Sequence, residues 1–231
     1  MKTLLYSLLM VSLMSGNSWA DPNKKDAVED LKTQILQIAS AAQGEYDSDD
    51  NDPAVRAQLD PLVDQLVALV PARTEAEKFV DVVGAWQQVW ADGPGGPPGM
   101  GPLAADVFQV VFPDKYYWNV AKNKVRDIMT MGFLRGKFDV EADSLKIEFT
   151  KAVFDPGWVA PGTDVNTLAM RAEVGAYDGN PQTPGTSPIG KKGFLANVYV
   201  DEDMRICRGG GEEFGGTYLY ILTRNTAFKL K

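Results

Sequence analysis

No histidine occurs anywhere in the 231 residues, and there is a single cysteine. The first absence removes the commonest general base and the commonest metal ligand. Together they exclude the usual zinc sites and any Ser–His or Cys–His nucleophile pair. With one thiol the chain cannot close an intramolecular disulfide, so its stability has to come from an apolar core. Cys207 falls in a predicted strand, where a buried, inert thiol is expected. Basic residues are in deficit: 23 Lys and Arg face 31 Asp and Glu, for a net charge of −8. Such a surface repels nucleic acid and anionic membrane faces, so no nucleic-acid partner is expected. Phosphate cradles are missing as well. The glycine–proline run at 93–101 lacks the lysine and the strand–loop–helix setting of a P-loop, and no dinucleotide fingerprint appears.

What is there begins with residues 1–20, which combine Lys2, an apolar run over 4–14 and a small-residue end at Ser18, Trp19 and Ala20. This is the pattern of a secretory signal peptide cut after Ala20; a spanning helix needs roughly 18–20 apolar residues. The expectation is an exported, soluble monomer, periplasmic or secreted, with a mature chain from Asp21.

Residues 21–82 read as a helical segment. Val28, Leu31, Ile35, Ile38 and Ala42 recur at helical spacing over 26–43, with Asp26 and Glu29 as a capping pair. A second helix starts at Pro53 and lines up Val55, Leu59, Leu62, Val63, Leu66 and Leu69; Pro61 can restart it as a separate turn. Thr74-Glu75-Ala76-Glu77 is a capping-box signature for a short third helix. The acidic run at 47–52 imitates the start of a calcium loop but lacks its glycine and its twelfth-position acid, which leaves a solvated loop. Neither a metal nor a cofactor is expected.

From Gly84 the period becomes that of strands, and 83–231 reads as one β-rich domain. By alternation Trp86, Gln88 and Trp90 share a face. Further strands are expected at 107–112, 116–120, 128–133, 137–140 and 145–150. The proline- and glycine-rich span 155–193 is a long connection with a short helix or strand at 165–174. Apolar runs at 194–200 and 217–223 close the sheet, with 201–204 as a hairpin turn and the glycines at 209, 210, 211, 215 and 216 as a flexible turn into the last strand.

Within those closing strands stand Tyr199, Asp201, Arg205-Ile206, Arg208-Gly209 and a Tyr-Leu-Tyr-Ile-Leu-Thr-Arg run ending at Arg224. The order resembles the C-terminal signature of the plastid lipid-associated protein/fibrillin family, here as an exported, bacterial-type member with a longer glycine-rich loop. Gly84-Ala85-Trp86 is similar to the Gly-x-Trp opening of lipocalins, which that family shares. The resemblance implies an α+β chain: N-terminal helices, packed as a plug or lid at one end, then a lipocalin-like antiparallel β-barrel that associates with lipids. It also implies that Trp86 meets Arg224 where the barrel closes.

Small barrels of about eight strands can enclose one apolar ligand or pack solid. Trp86, Gln88, Trp90, Phe108, Phe112 and Phe149 are the residues expected to line the interior, joined by Tyr199. Arg205 and Arg208 alternate to opposite faces, so at most one points inward. The favoured reading pairs them with Asp201 or Asp203 across the hairpin; the functional one sets Arg205 against a lipid head group or carboxylate. The acidic pairs at 201–203 and 212–213 lie in turns and read as solvating, so no catalytic residue is named and an enzyme is the weak hypothesis. The expected function is non-enzymatic binding or transport of a lipophilic small molecule. The alternative is a coat protein on lipid particles or a membrane surface.

Overall fold

The computed structural model describes residues 22–42, 53–92, 104–125, 128–155, 164–175, 189–211 and 217–225. The expected signal segment, the acidic run at 47–52 and most of the 155–193 connection lie outside them. The class is α+β: helices first, then a closed antiparallel barrel of eight strands.

Helix α1 (Pro22–Ala41) buries Val28, Lys32, Ile35 and Ala39, and α2 (Pro53–Leu69) buries Val55, Leu59, Val63 and Leu66, one apolar stripe each. Two local expectations fail. Asp26 and Glu29 do not cap α1, because the helix starts at Pro22; proline suits a helix start. Pro61 does not split α2, which runs through it, held by packing on both sides of the missing N–H. The third helix, α3 (Glu75–Val82), forms as the capping box predicts. Thr74 Oγ1 accepts from the Glu77 N–H, and the Glu77 carboxylate accepts from the Thr74 N–H. Those bonds hold the Glu77 carboxyl below its ordinary value.

The barrel is a meander of β1 (Gly84–Ala91), β2 (Ala104–Phe112), β3 (Tyr116–Val125), β4 (Ile128–Val140), β5 (Leu145–Asp155), β6 (Lys192–Val200), β7 (Met204–Gly211) and β8 (Tyr218–Arg224), with β8 back on β1. The two strands expected at 128–133 and 137–140 are one, β4, paired along its length with β3 and kinked by a bulge against β5 beside Gly136. A Cβ at Gly136 would lie 2.5 Å from the Tyr117 ring, so the missing side chain is what lets Tyr117 lie across the sheet. Glycines 209–211 likewise belong to β7 rather than to a turn. They allow β6 and β7 to approach closely: a Cβ at the facing Gly193 would come within 2.6 Å of the Gly210 carbonyl oxygen.

The turn joining β6 to β7 forms at 201–203. Asp201 Oδ1 accepts from the N–H groups of Asp203 (2.9 Å) and Met204 (2.7 Å), the local bonding that favours aspartate there. The 165–174 segment is a helix, α4 (Val165–Glu173), capped by Asp164, which accepts from Asn166 and Thr167 N–H groups at 3.0 Å.

Helices cover the barrel in two ways. α1 and α2 lie along the outside of β6, β7, β8 and β1, and α4 lies along the outside of β2, β3 and β4. Among the described helices α3 alone sits at an end, where its Glu75 N–H meets the carbonyl of Ala142 in the β4–β5 turn. The plug expected of all the N-terminal helices is therefore α3 alone.

Candidate functional site

Register fixes which side chains point into the barrel. Trp86 and Gln88 of β1 lead through Gln109 and Val111, Tyr117 and Asn119, and Gly136 and Phe138 to Phe149 and Ile147. The same face continues through Leu195 and Asn197, Cys207 and Arg205, to Tyr220 and Leu222, which return to Gln88. The apolar members form one cluster with Val82 and Phe79 of α3.

At the α3 end this interior is closed and polar groups are matched one to one. Trp86 is fully buried; its indole N–H donates to the Val82 carbonyl (2.8 Å), and the Arg224 guanidinium stacks 3.9 Å from its ring. The meeting of Trp86 and Arg224 that the resemblance implied is thus present, as register partners of the closing strand pair. Arg224 also donates to the carbonyls of Val83 (2.9 Å) and Asp81 (2.6 Å), which ties α3 to β8. A bulge follows Asn197 in β6 and releases its backbone groups from the ladder. α3 satisfies them. The Asn197 N–H donates to Glu75 Oε1 (2.8 Å), Lys78 donates to the Asn197 carbonyl, and Glu75, 1% exposed, pairs with Lys78 at 3.4 Å.

Above that floor the interior carries more polar side chains. Arg205 is completely buried; its Nε donates to Asn197 Oδ1 (2.6 Å) and its Nη1 to Gln109 Oε1 (2.6 Å). Gln109 donates onward to Asn119 Oδ1 (3.1 Å). Burial pushes the Cys207 thiol up to about 11, which keeps it protonated and unreactive at neutral pH, as expected for an inert thiol. Burial likewise raises the Tyr117 phenol. Gln88, Gln109, Asn119, Phe149 and Tyr220, all on the inward face, are only half-buried.

Of the residues expected to line the interior, Trp86, Gln88 and Phe149 are on that face, with Arg205 among them. Trp90, Phe108, Phe112 and Tyr199 are not. A bulge between Gln88 and Trp90 turns Trp90 outward, where it packs against α1 and α2. Tyr199, beyond the β6 bulge, joins the same outer cluster and donates to Asp201 Oδ2 (2.6 Å). Phe108 and Phe112 face α4 with Trp118, Val120 and Phe133. Arg208 also faces out, and neither arginine pairs with Asp201 or Asp203. Arg208 reaches Asp60 (3.0 Å) and Asp64 (2.9 Å) on α2, while Asp201 takes Lys32 of α1 (2.7 Å). Burial opposes the Asp201 charge, but Lys32 and Tyr199 hold its carboxyl below the ordinary value. Glu75, Lys78, Gln109, Asn119 and Asn197 went unrecognised in the sequence. Of these only Glu75 lay in a noticed motif, and the capping box says nothing of the direction it points.

Among the described residues, no cluster of Cys, Asp and Glu is arranged to hold a metal ion. The family model described as PAP_fibrillin matches residues 29–215, from within α1 to the β7–β8 connection. No curated protein matches the chain.

Proposed function

The chain belongs to the PAP_fibrillin family, and from that premise we propose that it binds a lipophilic small molecule reversibly inside the barrel, as a carrier or protector rather than an enzyme. Family and barrel together fit a lipid-associated protein. The observation that carries the finer reading is the contrast along the inward face. Trp86, at the α3 end, is fully buried, whereas Gln88, Gln109, Asn119, Phe149 and Tyr220, on the same inward face, keep part of their surface exposed. Ligand sites are typically concave and apolar with a few polar groups; here Leu195, Phe149 and Tyr220 supply apolar wall and Gln88, Gln109 and Asn119 the polar groups. The pattern of residues 1–20 supports an exported compartment for the activity.

The second reading, adsorption as a coat, draws on α4, where Met170 is 48% exposed and Val174, one turn on, 76% exposed. The test of the carrier reading is to purify the protein without detergent and to identify by mass spectrometry what an organic solvent extracts from it. One amphiphile in stoichiometric amount is expected. An empty protein that also takes up no fluorescent fatty-acid or isoprenoid probe would leave only the coat.

A further inference from the structure

The barrel interior carries a charged group to which the described residues supply no counter-charge. Arg205 is fully buried, its two engaged nitrogens bond only neutral amides, and its Nη2 has no hydrogen-bond partner at all. Among the described residues no carboxylate pairs with it; the buried Glu75 is taken by Lys78 and by Asn197. A second guanidinium, that of Arg224, lies over the same indole, with Arg205 5.9 Å and Arg224 3.9 Å from the Trp86 ring. A buried donor left unpaired forfeits its hydration without return, and an isolated buried charge does so more severely.

We propose that the ligand head is a carboxylate, received by Arg205, and that Gln109 is the placeholder it displaces. This rests on the lipophilic-ligand reading above and specifies its head group. Nη1 and Nη2 are the two tines of the guanidinium fork, the spacing a carboxylate takes with two parallel hydrogen bonds. One tine is held by the Gln109 amide oxygen and the other is idle. Gln109 is half-buried and already reaches Asn119 with its amide nitrogen. Turned fully toward Asn119, it frees Nη1, and the carboxylate then takes Nη1 and Nη2 together. The tail runs along Phe149, Tyr220 and Leu195 on the same inward face. The orphaned Nη2 donor gains a partner, and the Gln109 oxygen released from Nη1 takes the Asn119 amide nitrogen as its new donor.

The test titrates cis-parinaric acid and cis-parinaryl alcohol, which share one fluorescent chain, into the full protein. Acid binding roughly ten- to a hundredfold tighter than alcohol binding is expected, the worth of one charge-assisted pair. Gln109→Glu, nearly isosteric, fixes a competing carboxylate on Nη1. It should bring the two ligands to within about twofold, chiefly by weakening the acid. Arg205→Met should do the same. Should that variant fail to fold, the ligand pair on the unaltered protein and Gln109→Glu still decide. Equal affinities in the unaltered protein overturn the carboxylate anchor and leave the lipophilic-ligand reading standing. Binding of neither ligand overturns both, and an acid preference that survives Gln109→Glu overturns the assignment to Arg205.

Discussion

The inside and the outside of this barrel are built on opposite terms. Outside, under α1, α2 and α4, the contacts are apolar: Leu59, Leu66, Ile206 and Ile221 on one flank, Trp118, Val120, Phe133 and Leu168 on the other. Ion pairs cross that surface as well: Arg208 with Asp60 and Asp64, the buried Lys32 with Asp201, and Arg135 with Glu173 of α4. Inside, a buried arginine, a buried glutamate and four buried or half-buried amides are threaded among aromatic rings. Two apolar clusters therefore lie outside the sheet, under the helices, and a third fills the lumen around Trp86, Tyr117, Phe138 and Ile147. What sets the lumen apart is that its polar groups are built in among those packed side chains.

The largest effect that tests this division belongs to Trp86, the one aromatic that seals the lumen and also closes the strand ring. Trp86→Ala should cost about 3–5 kcal/mol in denaturant unfolding. Coupling to Arg224 in a double-mutant cycle should be about 0.5–2 kcal/mol. A purely solvated Arg224 would give no coupling. Next comes the outer core. Leu168→Ala on α4 should lose about 2–5 kcal/mol with little change in probe uptake, because the side chain touches no inward-facing residue. Loss of uptake out of proportion to stability there would mean that the outer flank is itself the site.

Glu75→Gln removes the charge that Lys78 and the Asn197 amides share, and should cost about 1–3 kcal/mol. A neutral outcome would show that α3 is not fixed to the β6 bulge by this carboxylate. The smallest effect is expected at Lys32, itself buried but paired with a part-exposed Asp201. Lys32→Met keeps the apolar stem but removes the partner of Asp201, for about 1 kcal/mol at neutral pH. The sign of its pH dependence follows from both partners. The Asp201 carboxyl is held below its ordinary value, so the pair's contribution is complete above ordinary carboxylate pH and is lost as pH falls through the lowered value. Lys32 is raised; burial opposes this, but Asp201 and Glu29 outweigh it. The contribution therefore persists at alkaline pH until the raised value is passed. Melts of Lys32→Met and the parent should converge in acid, and a gap that widens there contradicts the assignment.

The same division explains what could be read from the sequence. The capping box at Thr74, the aspartate turn at 201–203 and the helical stripes of α1 and α2 are decided within a few residues, and local pattern finds them. The partnership of Trp86 and Arg224 is long-range but came with the family resemblance. Trp90 and Tyr199 were misplaced because a single bulged residue in β1 or β6 inverts every later side chain, and no composition signal marks it. Phe108 and Phe112 were misplaced for another reason. With α4 covering β2 and β3, both faces of those strands are partly apolar, and alternation then says which residues share a face but not which face is inside. Arg208 finds its acids on α2, about 150 residues earlier in the chain, a distance over which sequence spacing carries no information.

A ligand held within the ring of strands and one held against the helical coat are told apart by a diazirine-bearing fatty acid, bound to the full protein, cross-linked by light and mapped by peptide mass spectrometry. Adducts are expected on the inward-facing Gln88, Asn119, Phe149 and Tyr220, with few elsewhere. Adducts confined to the exposed apolar residues Val80, Met170, Val174 and Phe194 would contradict a site within the strands and make the outer surface the site of lipid contact.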